Sequence, residues 1–227
     1  MILPSCQPDQ FKFTGSAAVG SCGYDYQNGI RITGKSHDKS GVYIMMEQIN
    51  RFLDQISRNQ SLVDYLSIEC DFDLQDEDRL KDDLEFLLEG SKPNYDLEPF
   101  ACDGAGGVYV MLDNGCVGYI DSEGSAGIVG NSPQSFFSIL LNCGYISDFA
   151  KFGVLKNRQA FLDYFNKLEI PRSESFVCDF IRRNSLDSDP EIIFSLFRNS
   201  VMTLPALELK AINGEYCDSE QLFHLGT

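Results

Sequence analysis

Residues 99–127 read PFACDGAGGVYVMLDNGCVGYIDSEGSAG, with Ile128 and Val129 following. Val108, Val110 and Leu112 alternate with Tyr109 and Met111, and Asp113-Asn114-Gly115 then supplies a turn. Cys116 to Ile120 runs back, Ser122-Glu123-Gly124 turns again, and Ala126 to Val129 makes a third strand. Short strands joined by short polar loops predict an antiparallel meander. Gly104, Gly106 and Gly107 stand in front of it and invite a phosphate-cradle reading. A phosphate loop lies between a strand and the helix after it, whereas these glycines precede a strand. The dinucleotide pattern needs glycine where Tyr109 stands, and no Gly-Lys-Ser/Thr follows. The cluster reads as turn chemistry at the entrance of a sheet.

Outward from the meander the pattern turns helical. Asn131 and Ser132 before Pro133 read as a helix cap with proline in the first turn, and Phe136, Phe137, Leu140 and Leu141 carry that helix to a stop near Gly144. Further apolar faces follow. Phe161, Leu162, Phe165 and Leu168 make one, and Phe176, Val177, Phe180 and Ile181 a second. Ile192, Ile193, Leu196 and Phe197 make a third, after an Asp189-Pro190 start. Near the end, Leu207, Leu209 and Ala211 alternate before Asn213-Gly214, which predicts a closing hairpin. Upstream, Met45, Ile49, Phe52 and Ile56 mark an amphipathic helix over 42–56, and 62–68 a second short one. Residues 1–40 are rich in Gly, Ser and Asp, with a hairpin signal at Asn28-Gly29 between Tyr24, Tyr26 and Ile30, Ile32. The expected fold is α+β, a twisted antiparallel sheet flanked by helices. A single domain over 41–227 follows an N-terminal β or irregular segment over 1–40.

Most catalytic chemistries find no motif. G-x-S-x-G, HExxH and the zinc-deaminase signature are absent, and His37 and His224 sit in no triad context. Eight scattered cysteines without a C-x-x-C pair, beside two histidines, argue against a zinc site. Glu208-Leu209-Lys210, with Asp187 or Asp189 upstream, has the E-x-K form of metal-dependent nucleases. That tripeptide arises often by chance, and an acidic chain is a poor host for DNA. A paired-carboxylate site is conceivable at the meander turns, from Asp103, Asp113, Asp121 and Glu123, but aspartate is also the ordinary turn residue. The expectation is a non-enzyme without metal or cofactor. No apolar run reaches the roughly 20 residues of a membrane span, and MILPSCQPDQ lacks the basic and apolar regions of a secretion signal. A cytoplasmic chain with reduced, mostly buried thiols is therefore expected.

Charge is the strongest bulk property. The net charge of −16 repels nucleic acid and anionic membrane surfaces and attracts basic proteins. Between Glu69 and Glu89 ten acidic residues face only Arg79 and Lys81, a net −8 and half of the whole-chain value. Leu80, Leu84 and Leu87 give this segment one apolar helical stripe. Asp76, Glu77 and Asp78 fall in the first turn, where the helix dipole favours anions, and Gly90 and Pro93 end it. Asp82, Asp83 and Glu85 lie off the stripe. Together with Asp71 and Asp73 these acids are the candidate partner-docking surface, the alternative being a solvated helix face that serves solubility.

The meander carries a resemblance as well. PFACDGAGGVYVMLDNGCVGYIDSEGSAGIVGNSPQSFFSILL, residues 99–141, resembles the SUKH superfamily. That group includes many bacterial immunity proteins and a yeast cell-wall assembly regulator. The matching features are PFA.DG.GG.Y at Pro99 to Tyr109, G.VGYI.SEG..G at Gly115 to Gly127, and the Ser-Pro-Gln-Ser-Phe-Phe helix entry at 132–137. The family's LP..Y..F stretch has only a loose counterpart at 62–68. The resemblance implies an α+β domain without catalysis that binds and neutralises a cognate toxin domain, often a nuclease. A nuclease is basic where it meets phosphate, which suits an acidic inhibitor. The resemblance hands over no particular contact residue. The alternatives are a regulatory or scaffolding module of the cell-wall regulator kind, and a hydrolase using Asp103 and Asp121.

Overall fold

The meander lies between two apolar cores. The computed structural model describes residues 39–151, 153–212 and 218–223. The expected Asn28-Gly29 hairpin and the Asn213-Gly214 turn lie outside the described residues, as does all but the last two positions of the 1–40 segment. In chain order, α1 (Lys39–Ser57), α2 (Gln60–Cys70) and α3 (Glu77–Leu87) lead to β1 (Ser91–Pro93) and β2 (Leu97–Cys102). The meander strands follow as β3 (Val108–Leu112), β4 (Val117–Ile120) and β5 (Ala126–Gly130). Then come α4 (Pro133–Cys143), α5 (Ile146–Lys151), α6 (Arg158–Phe165), α7 (Ser175–Arg183), α8 (Pro190–Val201) and β6 (Leu209–Ala211). The fold is α+β: an antiparallel four-stranded sheet in the order β2-β3-β4-β5, a two-stranded sheet β1-β6, and helices around them.

The apolar character of both alternating sets in Val108–Leu112 has a direct consequence. An antiparallel sheet commonly leaves one face to water; here both faces are covered. Tyr109, Met111, Val117, Tyr119 and Val129 point into a core with Phe52, Phe72, Phe136 and Phe137. Val108, Val110, Leu112, Ile120 and Ile128 point the other way, onto Leu84, Leu207 and Leu209. In the first core Phe72 packs 5.3 Å from the Tyr109 ring, and Phe136 lies 5.5 Å from Tyr109. Each such ring pair is worth about 0.5–1.5 kcal/mol beyond the area it buries. α4 seals this face from a well-made start: Ser132 and Ser135 form a reciprocal capping box, with Pro133 in the first turn.

Three features depart from the sequence expectations. A strand, β2, precedes the glycine turn; Pro99 within it sits on the edge of the sheet beside a register shift between Pro99 and Ala101, the setting in which strands accept proline. Of the expected closing hairpin, Leu209–Ala211 forms a strand with a ladder partner the sequence did not indicate, β1, with Lys92 opposite Lys210, while on its other side Ser219 N–H donates to the Leu209 carbonyl (2.8 Å) and the turn itself lies outside the described residues. The first helix begins at Lys39, inside the segment expected to be β or irregular. Both edges of the large sheet are closed by single bridges. Asp73 exchanges backbone bonds with Cys102 (2.8 and 3.1 Å), and Ala126 N–H donates to the Glu220 carbonyl (3.0 Å). Such cover protects an edge from pairing with another chain.

Candidate partner-binding site

α3 is built to show its acids. The Asp76 side chain caps it by accepting from Arg79 N–H (3.0 Å), and Glu77 and Asp78 occupy the first turn. Leu80 and Leu84 are buried beneath it, and Leu87 is half-buried at its end. The opposite side carries Asp78, Asp82 and Glu85 at spacings of four and three, all exposed. Phe86 follows Asp82 by one turn and is 74% exposed. The helix's two cations are engaged on its flanks, Lys81 by Glu77 and Arg79 by Asp83 at 3.9 Å. The Lys81 contact holds the Glu77 carboxyl below its ordinary range. Among the described residues, Asp78, Asp82 and Glu85 have no side-chain hydrogen bond or ion pair.

The eight predicted acids thus divide by role. Asp76 is a cap, and Glu77 and Asp83 are paired. Asp71 ends α2 in the left-handed region (φ 51°), and its carboxylate accepts from Gly104 N–H at 2.9 Å, tying the helix to the β2–β3 turn. Burial raises the Asp71 pKa, the Gly104 bond opposes the rise, and the nearby charges of Asp103, Asp73 and Asp148 add to it. Asp73 is half-buried at the backbone bridge to Cys102, whose thiol is pushed up to about 11 by burial and then by the Asp73 charge. Asp78, Asp82 and Glu85 alone form an unoccupied acidic stripe.

The glycine turn is filled from within. Asp103, 7% exposed, accepts from Ala105 N–H (2.8 Å), Gly107 N–H (2.7 Å) and the Tyr119 hydroxyl. The N–H groups that would face a phosphate therefore already hold the carboxylates of Asp71 and Asp103. Gly107 has no room for a side chain, since a Cβ would sit 2.6 Å from Asp103 Oδ2 and 2.9 Å from the Ile120 carbonyl. Asp121 serves its own turn, accepting from Glu123 N–H (3.0 Å) and Ser125 N–H (2.8 Å). Glu208 and Lys210 pair with each other at 3.5 Å, while Asp189 caps α8. Among the described residues no group of three or more His, Cys, Asp and Glu is placed to hold a metal ion, and no helix is long and apolar enough to cross a membrane. Cys70, Cys102, Cys116 and Cys143 are buried free thiols and Cys178 an exposed one.

Sequence reasoning missed a cavity at the C-terminal end of α3. It measures about 440 Å³ and is lined by Leu87, Glu89, Glu123, Leu209, Asp218 and Glu220, among others. Asp218 uses one oxygen to accept from Ala211 N–H (2.9 Å). The lining comes from segments far apart in the chain, and only the fold assembles them. Phe86, by contrast, was open to detection, because it lies off the Leu80–Leu84–Leu87 stripe of its own helix. No protein-family model, curated protein or solved structure matches this chain.

Proposed function

We propose that this chain is a non-catalytic, cytoplasmic immunity protein that binds a basic toxin domain, most simply a nuclease, and occludes its substrate surface. The observation that carries the reading is the outward face of α3, where Asp78, Asp82 and Glu85 are exposed and form no side-chain ion pair among the described residues. A single-sign stripe of this kind steers an oppositely charged protein into contact and raises the association rate. The resemblance of residues 99–141 to the SUKH superfamily supplies the class of partner. The closed glycine turn and the separate turn roles of Asp103 and Asp121 favour binding over hydrolysis.

The test is co-expression of the tagged chain with the product of the neighbouring gene, read by growth rescue and by the kinetics of the purified pair. Rescue together with recovery of a basic partner is expected. Asp78→Asn, Asp82→Asn and Glu85→Gln combined should slow association about tenfold or more at low salt. A toxin neutralised equally fast by the triple variant would remove α3 from the mechanism. Absence of both binding and rescue would leave a regulatory module as the better reading.

A further inference from the structure

The stripe on α3 accounts for speed of encounter, but long-lived contact between proteins rests on a few buried anchors, commonly aromatic or arginine side chains. α3 holds one such anchor ready. Phe86 is 74% exposed on a helix whose other apolar side chains face inward, and it stands one turn after Asp82. The next turn opens into the cavity of about 440 Å³, within the range of volumes that enclose ligand groups. Four carboxylates line this cavity, and among the described residues no Lys or Arg does. Glu89, Glu123 and Glu220 have no side-chain hydrogen bond or ion pair among the described residues. The C-terminal end of α3, which has no basic residue in its last turn, adds the negative end of its dipole. Like charges gathered around one space are relieved by a cation. The half-buried Leu87 and buried Leu209 in the same wall suit the aliphatic stem of a lysine or arginine. A bare metal ion fits less well, because the acids do not converge as ligands.

We propose that the C-terminal end of α3 is the anchor of the toxin contact. Phe86 packs against an apolar cleft rimmed by the partner's basic residues, and the cavity beside it receives one of the partner's lysine or arginine side chains. The inference rests on the immunity reading and adds to it the position of the contact and the chemistry of the partner's facing surface. It also divides the labour: the Asp78–Asp82–Glu85 stripe sets the association rate, and Phe86 with the cavity sets the dissociation rate.

The experiment measures association at about 10 mM ionic strength, where steering is unscreened, and dissociation at about 150 mM, for the wild-type chain and three variants against the purified toxin domain. The variants are Phe86→Ala, the double Glu123→Gln/Glu220→Gln, and Asp78→Asn/Asp82→Asn/Glu85→Gln. Phe86, Glu123 and Glu220 are exposed, so the first two variants keep the fold, which urea unfolding checks. Each of those two should raise the dissociation rate about 10–100-fold and leave association within about twofold, as loss of an anchor does. The stripe variant should do the reverse. Wild-type dissociation in both Phe86→Ala and the cavity double, with association slowed in the stripe variant, would overturn the anchor and leave the immunity reading standing. A wild-type chain that neither binds nor neutralises the toxin domain would overturn both.

Discussion

Asp71 carries its charge where folding disfavours one. Burial and the charges of Asp103, Asp73 and Asp148 lift its folded pKa above that of the unfolded chain, despite the bond from Gly104 N–H. Folding therefore prefers the protonated form. The preference is fully expressed below the ordinary carboxylate range, near pH 3.9, and is lost as the pH rises through the raised folded value. Asparagine keeps an acceptor for Gly104 N–H, accepts the left-handed backbone at φ 51°, and carries no charge. Asp71→Asn should accordingly raise Tm at pH 7, the gain in stability being under about 1 kcal/mol because the site is half-exposed and screened. The advantage should fade as the pH falls through the raised folded value. Thermal melts at pH 7, 5 and 4 check it, and an unchanged or lower Tm at pH 7 would mean that the ionised bond to Gly104 outweighs burial. The residue shows the limit of reading acids from sequence. Asp71 belongs to the same charge run as Asp82, yet it is fixed by a bond to Gly104, 33 residues on, that only the fold reveals.

The elements differ in how openly the sequence announces them. α3 and β3 to β5 follow from local pattern, since leucine spacing, caps and turn residues all lie within the element they define. β2 escaped because Pro99 breaks the strand pattern, and its place on a sheet edge with a bulge is a tertiary fact. The β1–β6 pairing escaped because its two short strands lie on opposite sides of the whole meander in sequence. In the site, the acidic stripe was legible and the cavity was not, because its walls meet only in the fold. α3 also allows cap and surface charge to be separated. Asp76→Ala removes the bond to Arg79 N–H and should cost about 1 kcal/mol, up to about 2. Asp82→Asn should be neutral or stabilising by a few tenths of a kcal/mol. It relieves like-charge neighbours at Asp78 and Glu85. Urea unfolding of both variants tests the contrast. Equal losses would mean that Asp82 has a partner or a structural task and that the stripe is not free for docking.

At the scale of the whole molecule, a net charge of −16 acts on stability and on association with opposite dependence on salt. The described ion pairs are solvent-exposed, as in Asp54 with Arg58 at 2.7 Å and Asp179 with Arg182 at 2.7 Å, so each contributes little and screening them costs little. The unbalanced negative charge repels itself across the fold, and screening that repulsion stabilises the compact state. Raising ionic strength from about 10 mM to 150 mM shortens the Debye length from about 30 Å to about 8 Å. Tm should rise over that interval. If the chain has the proposed immunity role, association with a basic toxin domain should slow about tenfold or more over the same interval, because steering reaches only as far as the field does. The two signs come from one charge distribution, and they separate its two possible uses. Acidity that serves solubility alone predicts the rise in Tm with no change in association rate. Acidity that recruits a basic partner predicts both, and the association term should shrink in Asp78→Asn/Asp82→Asn/Glu85→Gln while the wild-type gain in Tm largely remains. Melting curves and stopped-flow association over one salt series would therefore distinguish a solvated surface from a steering one.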